Sequence, residues 1–388
     1  MRYRRSIFGG LLKPIDRRQF DAIVDRHRGD AYDKSFDSWT HLVSLVCGQL
    51  TGASSLRELE ATWQANAHHH HHLGVSPLHR STLSDANRRR PPAIFIDLVN
   101  LLIRQVHGPM RREGGALVRL IDSTPIPLRH LADWVRWNGR TRGLKLHVVY
   151  DPEEDMPERL SITAANVNDV SFRSEVAIEP GTTYVYDKAY CHYGWWTEID
   201  RAGATFVTRR KINAHFRTVR RRPVDEAQGD GFTILSDAEV RLATPRRAKL
   251  DIPIRRIRLR RHADGKTMDL LTNDQTRSAT EIAGLYKARW QIELLFRWIK
   301  QHLNIRRFLG TSENAIRLQI LAAMIAFLLL RLAARLHRLA LQPIRFAQLI
   351  GQCLFLRKTI DHIDKPPPVN PSTALRKADP NQLCFDYA

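Results

Sequence analysis

Apolar positions recur at helical spacing through roughly the first hundred residues: Phe20, Ile23 and Val24, then Leu42, Val43, Val46 and Leu50. Ser55-Leu-Arg-Glu58 has the form of a capping box and predicts a helix carrying Leu59 and Trp63. Pro91 and Pro92 predict the start of another helix, with Ile94, Phe95, Leu98, Leu101 and Leu102 on its buried side and Arg88, Arg89 and Arg90 just before it. Five adjacent histidines, His68 to His72, interrupt this block. Neighbours in a polar stretch offer a metal no fixed geometry, so a solvated loop is expected there.

The period then shortens. ALVRLID (116–122), GLKLHVVYD (143–151), ERLSITAA (158–165), TTYVYD (182–187) and ATFVTRR (204–210) are short and rich in Val, Ile, Thr and Tyr, as strands are. NDVSFRSEVAIE predicts a helix capped by Asn168 or Asp169, and HYGWWTEIDRAG predicts another. Three strands, helix, strand, helix, strand describe a mixed α/β sheet. Residues 211–275 return to strand-like segments, and IRLRRHADGKTMDLL predicts a hairpin with a type I′ turn at Asp264-Gly265. Its first arm alternates Ile257 and Leu259 with Arg258 and Arg260, giving one apolar and one cationic face. Ser278-Ala-Thr-Glu281 is a second capping box, opening helical periodicity that runs to about 308. The apolar stretch Leu318 to Leu330 is short for a bilayer and is followed by Arg331, which predicts a buried helix within 315–337 and no membrane partner. Beyond residue 361 the chain is rich in proline and predicts a loosely held tail.

Charge changes this picture more than composition does. The 388 residues carry a formal net charge of +21, which calls for a large anionic partner. The basic residues lie in short clusters and do not line one amphipathic helix, which favours nucleic acid over a membrane surface. Cys47, Cys191, Cys353 and Cys384 are far apart and lack paired metal spacing, as in a reduced cytoplasmic protein. The basic N-terminus has no apolar segment behind it, so no secretory signal is expected.

Asp122 and Asp187 each end an apolar strand, where side chains project into the crevice that collects ligands. Taken alone, each is more simply read as a turn-forming aspartate at a strand-to-loop junction. In LYKARWQIELLFRWIKQHL, Tyr286, Arg289, Glu293 and Lys300 are spaced by three, four and seven residues. At roughly 100° per residue they fall within about 60° of one another on a helix whose other sides are largely apolar. A stripe facing a site and a solvated face with an Arg289–Glu293 ion pair are the two readings. Three carboxylates can hold two Mg²⁺ ions about 4 Å apart for phosphodiester chemistry, while the phenol, guanidinium and ammonium orient phosphates.

Tyr286-x2-Arg289-x3-Glu293-x6-Lys300 matches the Y-R-E-K signature of bacterial insertion-sequence transposases, and the chain resembles their insertion-sequence-four family over roughly residues 10–350. IDSTPIPL, GLKLHVVYD, YDKAYCHYGWW, FVTRRK and HLGVSPLHRSTLSDANRRRP carry the rest of the likeness. The resemblance implies an RNase H-like catalytic domain with a β-rich insertion at about 211–275. Its DDE triad would be Asp122, Asp187 and Glu293, holding two Mg²⁺ ions that Mn²⁺ can replace. The triad's first Asp is expected on the first strand, its second just after the fourth, and its Glu on a later helix. Phosphate contacts are expected from Tyr286, Arg289, Lys300, Arg258 and Arg260.

The resulting expectation is an α/β protein with an all-helical DNA-binding region at 1–110, the catalytic domain at 111–350 and a tail at 351–388. It would bind terminal inverted repeats and target DNA, as a homodimer, in the bacterial cytoplasm, and catalyse cut-and-paste transposition. Excision through a hairpin intermediate is implied for some relatives. A non-catalytic DNA-binding regulator and a metal-dependent nuclease without strand transfer are the alternatives. A two-carboxylate glycosidase leaves the charge unexplained.

Overall fold

The computed structural model describes residues 6–364 apart from 32, 34, 107–116, 129–141, 225–227, 230, 244–249, 303–307, 340 and 342. The proline-rich segment from 366 onward and Cys384 lie outside the described residues. Seven helices come first: α1 Ile7–Leu11, α2 Arg17–Arg26, α3 Ser38–Thr51, α4 Leu56–Ala65, α5 His70–Leu73, α6 Arg80–Arg89 and α7 Pro92–Val106. Their starts are fixed locally. Asp16, Asp37 and Ser55 each accept a backbone N–H from the first turn, satisfying donors the helix cannot. Glu58, the far member of the first expected capping box, reaches Ser54 instead of the cap residue. The box at Ser278 and Glu281 is complete.

The histidine run corrects the expectation of a solvated loop. It forms a 3₁₀ turn (Ala67–His69) continuing into α5, and His69 and His70 are buried. His70 Nε2 lies 3.0 Å from the Trp63 carbonyl, its ring 4.9 Å from the indole, and burial lowers its pKa. The run is therefore part of the packing around Trp63, with His68, His71 and His72 left outside.

The sheet follows: β1 Val118–Pro127, β2 Gly143–Asp151, β3 Met156–Ala164, β4 Thr183–Tyr186, β5 Thr205–Arg209, β6 Phe216–Arg222, β7 Gln228–Gly229, β8 Phe232–Leu242, β9 Ile254–Arg261 and β10 Thr267–Thr272. Its order is β3-β2-β1-β4-β5-β10-β9-β8-β6, with β7 on β8. β4 runs parallel to both β1 and β5, and the outer pairs are antiparallel. The helix α8 Tyr193–Arg201 links β4 to β5, while 169–175 forms a 3₁₀ helix in place of the expected α-helix. The β9–β10 turn also departs from type I′, which needs positive φ at both central residues. Among its residues only Gly265 has a positive φ (65°), and the loop spans five residues, 262–266.

The helices α9 Ala279–Ala288, α10 Trp290–His302, α11 Glu313–Leu336 and α12 Pro343–Cys353 complete the order. α11 is apolar on nearly every side because it is surrounded, packing on α3, α6, α7 and α10. It is long and apolar enough to cross a membrane, yet 83% of its most apolar window is buried inside the protein. One core therefore runs from Ile7 and Phe20 through α11 to Leu120 and Val185 on the sheet. The N-terminal helices share one interior with α11 and the sheet and do not stand apart from it. The start of the expected tail is packed as well. Leu354, Ile360 and Ile363 are buried, and the N–H groups of Ile7 and Phe8 donate to the carbonyls of Leu356 and Leu354. A second core of Tyr184, Tyr186, Trp195, Trp196 and Phe206 fills the other face of the sheet beneath α8.

Candidate active site

Strand pleat decides which acids meet. Leu120 belongs to the larger core and Ile121 to the smaller, so alternation turns Asp122 toward the face that α10 covers. Val185 and Tyr186 alternate in the same way, and Asp187, the next residue but one after Val185, faces that side too. β1 and β4 are parallel neighbours with Ile121 opposite Tyr186, so the next residues, Asp122 and Asp187, come side by side. Asp187 follows the end of β4, but Asp122 lies midway along β1, which continues to Pro127 and does not end at the acid as the sequence predicted.

The helical stripe arrives from above, though not on one continuous helix. The chain tightens at Arg289: its N–H donates to the Tyr286 carbonyl and its own carbonyl accepts from Ile292, both at 3.2 Å. These are i to i+3 bonds, and they separate α9 from α10. Tyr286 Oη lies 3.3 Å from Asp187 Oδ1. Arg289 donates from Nη1 to Asp122 Oδ2 and from Nη2 to Glu293 Oε1, each at 2.6 Å. The ion pair considered for a solvated face thus exists, but inside a site, with the Arg289 side chain only 16% exposed. Trp290 and Leu294 on the next face of α10 are exposed, contrary to the expectation of a helix covered on its apolar sides, and Arg297 lies over the Trp290 ring.

A cleft of about 410 Å³ opens beside this cluster, lined by Asp122, Ser123, Thr124, Glu293, Phe296, Arg297 and Lys300. Asp187 is held on the far side by Tyr286 and is not among the lining residues. Burial pushes the Asp122 carboxyl up to about 6, and Arg289 and the Ser123 N–H offset only part of that cost. Burial and the neighbouring Asp187 likewise push the Tyr286 phenol up to about 12, so it stays a hydrogen-bond donor.

Sequence reasoning missed a polar cluster behind β1. Ser123 Oγ donates to Asp169, which also receives Lys145 at 2.8 Å. His147, fully buried against Phe172, spans Tyr190 Oη and Thr163 Oγ1 at 3.2 and 2.9 Å, and burial lowers it to about 4. Asp169 therefore braces the strand that carries Asp122, while Asn168 caps the 3₁₀ turn. The signal was the alternation of Lys145 and His147 along β2, on the face opposite Leu144 and Leu146.

Arg258 and Arg260 sit away from this site on β9. Both are exposed, and Arg258 is paired with Asp269, which also holds Arg210. Among the described residues no three acid, histidine or cysteine side chains are already gathered as a metal cage. The donor chemistry of the two aspartates and Glu293 nevertheless suits a hard divalent cation. Burial raises the Asp122 carboxyl even beside Arg289, and a bound cation would favour its charged form.

Comparison with known proteins bears on this geometry. Residues 113–329 match the family described as "Transposase DDE domain", and residues 3–76 match one described as a domain of unknown function. The chain is 56% identical over 305 residues to "Putative transposase y4zB" of Sinorhizobium fredii, covering 79% of this chain and 85% of that protein. It is 29% identical over 261 residues to "Probable transposase for insertion sequence element IS5377" of Geobacillus stearothermophilus, covering 66% and 68%. A solved piggyBac transposase synaptic complex with hairpin DNA aligns with a TM-score of 0.49 and 12% identity over 96% of this chain and 84% of that one.

Proposed function

The chain belongs to the DDE transposase family, and on that premise we propose that this DNA transposase uses Asp122, Asp187 and Glu293 as its catalytic carboxylates in an RNase H-like domain. The observation that carries the assignment is convergence. Residues 122, 187 and 293 lie on three separate elements, yet Arg289 joins the first to the third and Tyr286 reaches the second. An incidental surface cluster has no reason to bury a carboxylate midway along an interior strand, beside the turn that carries its ion-pair partner.

Members of the family depend on divalent metal, and here Asp122, Asp187 and Glu293 would hold two Mg²⁺ ions, with Mn²⁺ able to substitute. Bound there, they would neutralise the phosphate and ease deprotonation of the attacking water or 3′-hydroxyl. The chain's own groups do the rest. Tyr286 fixes the orientation of Asp187. Arg297 and Lys300 line the cleft where a phosphate backbone would lie, with Arg289 beside it. Phe296 and Thr124 form part of the wall of that cleft.

The outer sheet, with Arg258 and Arg260 exposed on β9, would track DNA beyond the cut site. We place terminal-repeat binding partly in the helices before residue 110, with catalysis in trans within a homodimer. The test is metal-dependent nicking of a labelled duplex carrying the element's end, followed by strand transfer from precut ends. Nicking and joining support the proposal. Nicking without joining reduces the chain to a nuclease, and end binding without nicking reduces it to a regulator.

A further inference from the structure

We propose that in the DNA-free chain Arg289 is the resident cation of the site, occupying the space between Asp122 and Glu293, and that metal loading requires its release. This rests on the triad assignment above. Arg289 does not clasp one carboxylate in a planar fork; it divides its two terminal nitrogens between two acids, at 2.6 Å each. Its Nε is buried with no hydrogen-bond partner among the described residues, so the guanidinium is held by charge while one donor stays unused. A divalent ion between the same two carboxylates would meet this positive charge directly.

The arginine is placed to leave. It sits at the tightened turn between α9 and α10, where a small change in backbone swings the side chain. The neighbouring cleft is lined by Arg297 and Lys300, cationic groups suited to a phosphate. A phosphate bound there offers Arg289 a fork-matched acceptor in exchange for its two carboxylates. Phosphate binding and metal loading then favour one another, and the coupling is reciprocal. In the absence of DNA the acids remain neutralised by the protein itself, which keeps a hydrolytic site switched off.

The test is calorimetric titration of Mn²⁺ into the full chain without DNA, comparing the wild type with Arg289→Gln, Arg289→Lys and Asp122→Asn. Arg289→Gln is expected to bind Mn²⁺ at least tenfold more tightly than wild type. Its melting temperature should fall in chelator and rise further than the wild type's when Mn²⁺ is added. Arg289→Lys keeps a charge but cannot span both acids, so its affinity should lie between the two. Loss of binding in Asp122→Asn together with wild-type affinity in Arg289→Gln overturns the proposal; if Arg289→Gln does not fold, wild-type affinity in Arg289→Lys overturns it equally. Undiminished binding in Asp122→Asn would instead remove the triad assignment on which it stands.

Discussion

Arg255 and Arg289 both hold carboxylates, and they hold them in different ways. Arg255 lies in the outer antiparallel half of the sheet. Its Nε reaches both oxygens of Asp237 at 2.9 and 3.0 Å, and its other nitrogens reach Asp237 and the carbonyls of Asp274 and Arg277. Both side chains of the pair are 3% exposed. Arg289 lies at the end of the parallel half, bridges two acids from different elements, leaves Nε unsatisfied and opens on a cleft. The first arrangement is saturated and closed, as a structural ion pair must be to offset its desolvation. The second is incomplete and open, which serves exchange of partners. An arginine–aspartate contact is therefore no guide to function until its remaining donors and its access to solvent are counted.

The largest expected effect lies on the open side. Asp187→Ala and Glu293→Ala should each lower metal-dependent strand cleavage by more than about a thousandfold, a scale set by the positioning and electrostatic terms they remove. Their melting temperatures should stay close to wild type, as scanning calorimetry will show. The closed side should behave in reverse. Asp237→Ala leaves the Arg255 guanidinium buried and unpaired, a loss of roughly 3–5 kcal/mol. Denaturant unfolding should report it, while the fraction that remains folded cuts at the wild-type rate.

A smaller effect depends on pH. Asp122 is raised to about 6 in the folded chain from an ordinary carboxylate near 3.8. Below both values it is protonated in either state. As pH rises through about 6 the folded chain must release a proton that it holds more tightly than the unfolded one, so stability falls across that window. Melting of the metal-free protein between pH 4 and 7.5 should show a loss of no more than about 3 kcal/mol, and Asp122→Asn should flatten it. Smallest of all, Arg258→Ala should weaken DNA binding a few-fold and lower the salt-dependence slope by about one, without changing the cleavage of bound DNA. Asp269 keeps Arg210 in that variant.

Much of this site was legible from residue pattern. Short β-branched runs marked β1 to β5 and put Asp187 just past β4, but they ended β1 too early, since Ser123 to Pro127 continue the strand beyond Asp122 in register with β2. The three-four-seven spacing brought Tyr286, Arg289 and Glu293 together. What pattern could not show was the turn at Arg289, because its backbone stays in the right-handed helical region and only the hydrogen bonds tighten. Nor could it show that the N-terminal helices share a core with α11. Amphipathic spacing reveals that a face is buried, not what buries it. His69 and His70 were misread for a related reason, since a polar residue type says little where a neighbouring Trp63 supplies the cover. Asp169 was hidden because its partners, Ser123 on β1 and Lys145 on β2, lie 46 and 24 residues earlier in the chain.

The most direct test of the contrast is the rate of Mg²⁺-dependent nicking per folded molecule for Asp122→Asn beside Asp237→Asn, with the folded fraction of each measured by unfolding. Asp122→Asn should be folded and inert, whereas Asp237→Asn should be destabilised and, molecule for folded molecule, active. Nicking by Asp122→Asn at the wild-type rate would contradict it.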